Sequence, residues 1–468
     1  MNNKFYITTP IYYVNDVPHI GHAYTTLNAD VFARYWKEKL GDENVFFLAG
    51  TDEHGQKVAE AAKKNGLEPK TYVDQVAPLF KEAWSALNIK PSFFIRTTDP
   101  RHEKVVAELL KKIYENGYIY EGEYEGLYCV GCEKFLTESE LKNGFCPLHP
   151  NTRPVFQKEK NYFLKLNELS KIIIKKIKNG EYNIIPESRK AETVARLESE
   201  IEDISISRAG VSWGIPVPWD KKQTVYVWIE ALINYYSATE FLEKKSRFWP
   251  ADIHLIGKDI LWFHSVIWQA ILIAADLPLP KNILVHGFFT IDGQKISKSL
   301  GNAIAPREFI DKYGTDGARY LLLSAVGFGH DGDIKKEEFD KKYNTDLANG
   351  LGNLVARVAK LCEESGFSYP YKKQSKDRHI ENAIEKMQPD LALKMIWRHI
   401  KNTDQFLSET KPWTKNGQEL YEILETSVAE IRLIGYHLKP FMPKTAEEIQ
   451  KQFNSETIKS NPPLFPRI

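Results

Sequence analysis

Phe5-Tyr6-Ile7-Thr8-Thr9, then a loop, then His19-Ile20-Gly21-His22 at the head of a periodic apolar run, is the stretch that decides the fold. The first five residues read as a buried strand. Ile20, Ala23, Leu27, Val31 and Tyr35 follow helical spacing, so the loop ends on a helix N-terminus. The same alternation continues outward. Val45-Phe46-Phe47-Leu48-Ala49 is a second strand ending at Gly50, and a helix follows through Val58 to Lys64. A helix from Tyr72 to Leu87, a short strand Phe93-Phe94-Ile95 and a helix from Glu103 to Glu115 come next. Strands alternating with helices imply parallel βαβ units, an α/β fold.

The alternation breaks near Gly117. Short Tyr- and Gly-rich segments, cysteines and turn signals such as Trp213-Gly214-Ile215-Pro216-Val217-Pro218-Trp219 fill the stretch to about Val225, which reads as an insert. Alternation resumes with Ile253-His254-Leu255-Ile256, a helix from Ile260 to Ala275 and the strand Ile283-Leu284-Val285-His286. Beyond Lys341 the pattern is helical to Gln452, interrupted by a polar loop from Lys372 to Arg378. The expected division is 1–115 and 226–290 for a split α/β domain, 116–225 for the insert, 291–343 for a connector and 344–468 for a helical domain.

With 468 residues, 43% hydrophobic and 27% charged, the chain has the balance of a globular protein of several units and not of a disordered one. No apolar run reaches membrane-spanning length, and the N-terminus has no apolar stretch long enough for a secretion signal; the expectation is a cytoplasmic protein with no membrane partner. The net charge of +1 neither supports nor excludes nucleic acid, so any RNA-binding claim rests on specific residues. Three of the four cysteines fall between Cys129 and Cys146, which is no disulfide framework but is compatible with a metal site.

Two motifs carry chemistry. A helix N-terminus attracts phosphate, Gly21 lets a base or phosphate approach the backbone, and His19 and His22 can donate hydrogen bonds to phosphoryl oxygens. A pair of capping histidines is the other reading of the same residues. His286-Gly287-Phe288-Phe289-Thr290-Ile291-Asp292-Gly293-Gln294 leads into Lys295-Ile296-Ser297-Lys298-Ser299. Two lysines three apart among serines and glycines make a cationic loop able to close over a triphosphate, or else an exposed basic turn.

Together these resemble the class I aminoacyl-tRNA synthetases. His19–His22 matches their HIGH motif, and Lys295–Ser299 matches their KMSKS motif with Ile296 in place of Met. The resemblance implies a split Rossmann-like parallel-sheet catalytic domain with a connective insert and a C-terminal α-helical bundle that binds the anticodon. It implies His19, His22, Lys295 and Lys298 as catalytic residues. It also implies an ATP site including Gly21, His22, Gly257, Asp259 and Lys298, with Mg²⁺ accompanying ATP.

Within that class the residues from Thr9 to Pro18 look like those of the methionine enzymes. Gly50-Thr51-Asp52-Glu53-His54-Gly55 follows the second strand, and the resemblance makes Asp52 the acceptor for the substrate ammonium; capping of the next helix is the alternative. Trp228, Ala231, Leu232 and Tyr235 share one helical face, which bare spacing assigns equally to core. That face matches the methionine side-chain site, as do Ile11, Tyr13 and His264. A thioether offers little to hydrogen-bond, so selection must come from shape, apolar burial and sulfur–aromatic contact. The expected reaction is activation of L-methionine by ATP and transfer to initiator and elongator methionine tRNAs, releasing AMP and pyrophosphate. The insert is too short for the hydrolytic editing domain of the long Ile, Leu and Val enzymes.

Cys129-Val130-Gly131-Cys132 and, thirteen residues on, Cys146-Pro147-Leu148-His149 give three thiolates and one imidazole with zinc-knuckle spacing. With all four positions filled, one structural Zn²⁺ is expected; three reduced cysteines and a chance histidine are the alternative. In the helical domain Asn353 and Arg357 lie four apart on one face, and Lys411-Pro412-Trp413 sets an indole at a helix–loop junction. An amide, a guanidinium and an indole suit base edges, phosphate and stacking, whereas an interior helix pair and a core Trp are the plainer reading. The resemblance implies all three as anticodon contacts. A monomer is expected of the chain as it stands.

Overall fold

The computed structural model describes residues 3–130, 134–136, 138–147, 150, 153–199, 201–291, 293–295, 304–370 and 376–468. The chain groups into two compact units: Met1–Pro18, Asn44–Glu82 and Pro91–Val285 in one, and His19–Glu43, Ala83–Lys90 and His286–Ile468 in the other.

The first unit is built on a six-stranded sheet in the order Phe93–Arg96, Val45–Asp52, Phe5–Tyr13, Ile253–Gly257, Asn282–His286, Asn183–Ile185. Phe5–Tyr13 runs parallel to both of its neighbours, as expected of βαβ crossovers. Val45–Asp52 is buried at every position, and its first six residues read as an apolar run and not as an alternation. Gly50 lies inside this strand and does not end it: a β-carbon there would stand 2.3 Å from the Ile95 carbonyl oxygen and 3.0 Å from Ile11, so only glycine allows the approach.

The structure departs from the sequence reading at Asn183–Ile185. That strand lies within the stretch read as an insert, yet pairs parallel with Asn282–Leu284 at the sheet edge. Three residues are too few to carry a periodicity signal, although the helix Leu166–Lys178 precedes them. The rest of the stretch is antiparallel: Ile119–Cys129 pairs with Val155–Leu164 in register from Ile119↔Leu164 to Tyr128↔Val155. The helix expected over Ile260–Ala275 is also divided, into a 3₁₀ turn Lys258–Ile260, a π turn Phe263–Ile267 and an α-helix Trp268–Ala274.

In the second unit the helix Ile20–Leu40 packs against Pro306–Leu323. The two are joined by a buried ion pair, Asp30 to Arg319 at 2.9 Å. Arg319 also donates to the carbonyls of Phe441 at 2.7 Å, Leu87 at 3.1 Å and Pro440 at 2.9 Å, so its buried donors are matched. The helices Asn353–Ser365, Arg378–Glu385, Pro389–Thr410, Gly417–Leu438 and Pro443–Phe453 follow. Among the described residues no helix is long and apolar enough to cross a membrane.

Candidate active site

The histidines of the first motif are half-buried and both cap the helix Ile20–Leu40. His19 Nδ1 accepts from Gly21 N at 3.1 Å, and His22 Nδ1 accepts from His19 N at 3.3 Å; the two rings stack with centroids 3.8 Å apart. Capping and phosphate binding are not rivals here. An Nδ1 that accepts must be bare, which places the ring proton on Nε2 and makes each Nε2–H a donor. Gly21 lies between the two caps. In the same unit His286 Nδ1 donates to the Gly287 carbonyl at 2.8 Å, so its Nε2 accepts from the Thr25 hydroxyl at 2.8 Å, tying the second motif's strand end to this helix. Gly287 is obligatory, because a β-carbon would stand 2.3 Å from the His330 carbonyl. The hairpin Phe289–Ile291 with Gln294–Lys295 turns at Gly293, where φ is +73°, and Asp333 accepts from Gly293 N at 2.7 Å. Lys295 ends that hairpin; Ile296 to Ser299, including Lys298, lie outside the described residues.

In the first unit Asp52 ends the strand Val45–Asp52, in register with Tyr13 and buried; Ile11 pairs with Gly50 two residues before. Gly257 ends the strand Ile253–Gly257 and Asp259 stands exposed in the turn after it. The helix Val227–Phe241 buries Ala231, Leu232 and Tyr235 and leaves Trp228 half-buried, stacked on Phe263 at 4.1 Å and 12°. The Tyr235 hydroxyl lies 2.8 Å from His264 Nε2. His264 Nδ1 is 3.0 Å from the Ile260 carbonyl, which can only accept. The proton is therefore on Nδ1 and Tyr235 donates to Nε2, an arrangement that needs a neutral imidazole. Burial pushes His264 down to about 4, which agrees.

His254, quoted above only as part of a strand, joins the same cluster. Trp268 Nε1 donates to its Nε2 at 3.1 Å, so Nδ1 carries the proton toward Thr8 Oγ1 at 2.7 Å; burial holds this imidazole well below its usual range as well. The lone polar residue in Ile253–Ile256 was the signal for it. Tyr235, His264, His254 and Trp268 thus form a buried aromatic wall without charge, suited to an apolar side chain.

This wall makes the protein acid-sensitive in a defined direction. A histidine whose folded pKa of about 4 lies below its unfolded value of about 6.5 takes up protons preferentially when unfolded, so its contribution is complete above 6.5 and is lost as pH falls toward 4. Between pH 7.5 and 5.0 the share due to His264 is about 2 kcal/mol. Urea unfolding at the two pH values is expected to show a larger acid loss in the native chain than in His264→Asn; equal losses would refute the assignment.

Of the metal-type residues, Cys129 and Cys146 are buried together with Leu136 in one small cluster, while Cys132 and His149 lie outside the described residues. Cys362 is buried in Asn353–Ser365, and burial pushes its thiol up to about 12, an inert core thiol. In the helical domain Asn353 is exposed one turn ahead of Arg357. The Arg357 guanidinium bonds Asp404 at 2.6 Å and stands 5.7 Å from the Trp413 ring. Trp413 is 56% exposed, which rules out a core tryptophan.

The parallel sheet interrupted by an antiparallel hairpin and the helix opened by paired capping histidines accord with a class I aminoacyl-tRNA synthetase, the class to which comparison assigns the chain. The family model described as tRNA synthetases class I (M) matches residues 5–153 and 140–359. The chain is 43% identical to a methionine–tRNA ligase of Clostridium acetobutylicum and 41% identical to that of Caldanaerobacter subterraneus, covering 97% of this chain and 74% of each relative. A solved structure of Mycobacterium tuberculosis methionyl-tRNA synthetase with methionyl-adenylate superposes with a TM-score of 0.90 at 32% identity, over 99% of this chain and 100% of that one. The chain belongs to the methionyl-tRNA synthetase family.

Proposed function

We propose that this chain activates L-methionine with ATP to methionyl-adenylate and transfers the methionyl group to methionine tRNA, initiator and elongator, releasing AMP and pyrophosphate. The observation that carries the reading is the uncharged aromatic wall of Tyr235 and His264 in the same compact unit as the strand-end carboxylate of Asp52. Asp52 accepts the substrate ammonium. Ile11, Tyr13, Trp228, Ala231, Leu232, Tyr235 and His264 hold the thioether side chain. The ionised methionine carboxylate needs no base; one of its oxygens attacks the α-phosphorus, and the bond to pyrophosphate breaks. His19 and His22, as Nε2–H donors, with Lys295 and Lys298, stabilise the negative charge that builds on the phosphoryl oxygens. Gly21, Gly257 and Asp259 complete the ATP site. Mg²⁺ accompanying ATP would supply charge neutralisation for the departing pyrophosphate beside Lys295 and Lys298.

The division of labour follows the chain. Residues 1–115 and 226–290, with the edge strand Asn183–Ile185, form the catalytic domain, the remainder of 116–225 the connective stretch, 291–343 the connector and 344–468 the anticodon-binding bundle, where Asn353, Arg357 and Trp413 meet the RNA. Cys129, Cys132, Cys146 and His149 hold a structural zinc; burial of Cys129 and Cys146 in one cluster supports this set. Zinc bound there supplies folding energy to a hairpin with little apolar core of its own. Elemental analysis is expected to find about one zinc per chain, falling in Cys129→Ser together with the thermal stability of the hairpin. A metal-free native chain of unchanged stability would refute the site.

The test of the whole reading is amino-acid-dependent exchange of labelled pyrophosphate into ATP, run with each amino acid in turn. Exchange with methionine alone is expected. Exchange with a different amino acid would overturn the pocket assignment, and none at all, in a folded sample with Mg²⁺, would overturn the activity.

A further inference from the structure

Glu230 is the one acidic residue in the apolar run Val227–Tyr235, and it is completely buried. Its carboxylate oxygens are divided between two buried histidines from other elements: His54 Nδ1 donates to Oε1 at 3.1 Å, and His102 Nε2 lies 3.2 Å from Oε2. His102 is held in turn by Ser237 Oγ at 2.7 Å, about two turns further along the same helix. Burial pushes His54 down, but the Glu230 carboxylate, with Glu103 at 3.8 Å and Glu53, outweighs it and holds the imidazole above its usual range; burial pushes Glu230 up, but His54 and His102 together hold it below its own range. The pair is therefore ionic, and each member depends on the other.

The position of His54 gives this network its meaning. It follows Asp52 by two residues, and everything between is also tied. Glu53 accepts from Arg96 Nε at 2.6 Å and from Thr51 Oγ1 at 2.7 Å; its N–H donates to Thr97 Oγ1 at 2.9 Å, and its carbonyl accepts from Trp213 Nε1 at 2.7 Å. Glu53 and Arg96 fasten the loop after Asp52 to the sheet. Among these ties, only that from His54 to Glu230 fastens it to the helix Val227–Phe241, which carries Trp228, Ala231, Leu232 and Tyr235.

We propose that Glu230, clasped by His54 and His102, is a positioning residue that sets the Asp52 carboxylate at a fixed distance from the side-chain face of the helix Val227–Phe241. The inference rests on the assignment of Asp52 to the ammonium and of that face to the thioether. A rigid spacing between the two contacts lowers the cost of binding an amino acid that spans them and contributes nothing to ATP. Glu230 touches no substrate in this scheme, so the loss falls on recognition of methionine and not on the phosphoryl chemistry.

The experiment is pyrophosphate exchange with methionine and ATP varied separately, in Glu230→Gln, Ser237→Ala and Asp52→Ala, each first shown to unfold cooperatively in urea. Glu230→Gln keeps the shape and removes the charge; it is expected to raise KM for methionine about tenfold, with KM for ATP within about twofold and kcat within about threefold. Ser237→Ala, which only loosens His102, is expected to move the methionine KM the same way by about threefold, and it decides the matter if Glu230→Gln does not fold. An unchanged methionine KM in the folded variant, or methionine and ATP constants rising together, overturns the positioning role. Near-normal methionine use by Asp52→Ala overturns the underlying site assignment instead, and the clamp's purpose with it.

Discussion

Asp52→Ala is expected to abolish methionine-dependent pyrophosphate exchange, lowering kcat/KM by about a thousandfold or more, while leaving the urea unfolding midpoint close to that of the native chain. The magnitude follows from what is removed. On the proposed assignment the substrate ammonium loses a carboxyl acceptor in a largely buried position, and a charged group brought into such a place without a partner costs far more than the net worth of an ordinary hydrogen bond. Sites built to bond a polar group discriminate by about 10⁴ to 10⁵ when that partnership is broken. Stability is spared because the strand Val45–Asp52 is held by its neighbours, and the loop after it by Glu53 and His54. Near-normal exchange in the variant would show that Asp52 serves the fold and not the substrate.

Trp413→Ala is expected to separate the two half-reactions. Its indole is 56% exposed on the single turn Pro412–Thr414, beside the Arg357 guanidinium, and supports little of the surrounding packing. Stacking of a base on an aromatic ring contributes about 1–3 kcal/mol, so kcat/KM for tRNA charging is expected to fall about 5- to 150-fold. Exchange with methionine and ATP is expected to stay within about twofold, since none of the residues assigned to activation is altered. Equal losses in both assays would make Trp413 a structural residue.

How far the sequence could be read depends on the length scale of each signal. The strands Phe5–Tyr13 and Val45–Asp52 were legible as apolar runs bounded by polar or turn residues, and the helix Ile20–Leu40 by its helical spacing, because each signal extends over many residues. Asn183–Ile185 was not, since a three-residue edge strand is recognised only by the partner it pairs with. The helix read through Ile260–Ala275 was right in place and wrong in form. A π turn at Phe263–Ile267 takes up an extra residue per turn without changing the apolar composition that betrays a helix.

The candidate site divides in the same way. Residue types and local spacing by themselves determined the two signature motifs, the shared face of Trp228, Ala231, Leu232 and Tyr235, the knuckle spacing of the cysteines, and the pairing of Asn353 with Arg357. Tertiary structure alone decided that the Tyr235 hydroxyl donates to a neutral His264, that His254 completes the wall, and that Glu230 clasps His54 and His102. The last contacts join residues 176 and 128 positions apart. No local pattern reports such pairs. A buried carboxylate in an apolar helix shows only that some partner must exist, and which one it finds is settled by packing between distant elements.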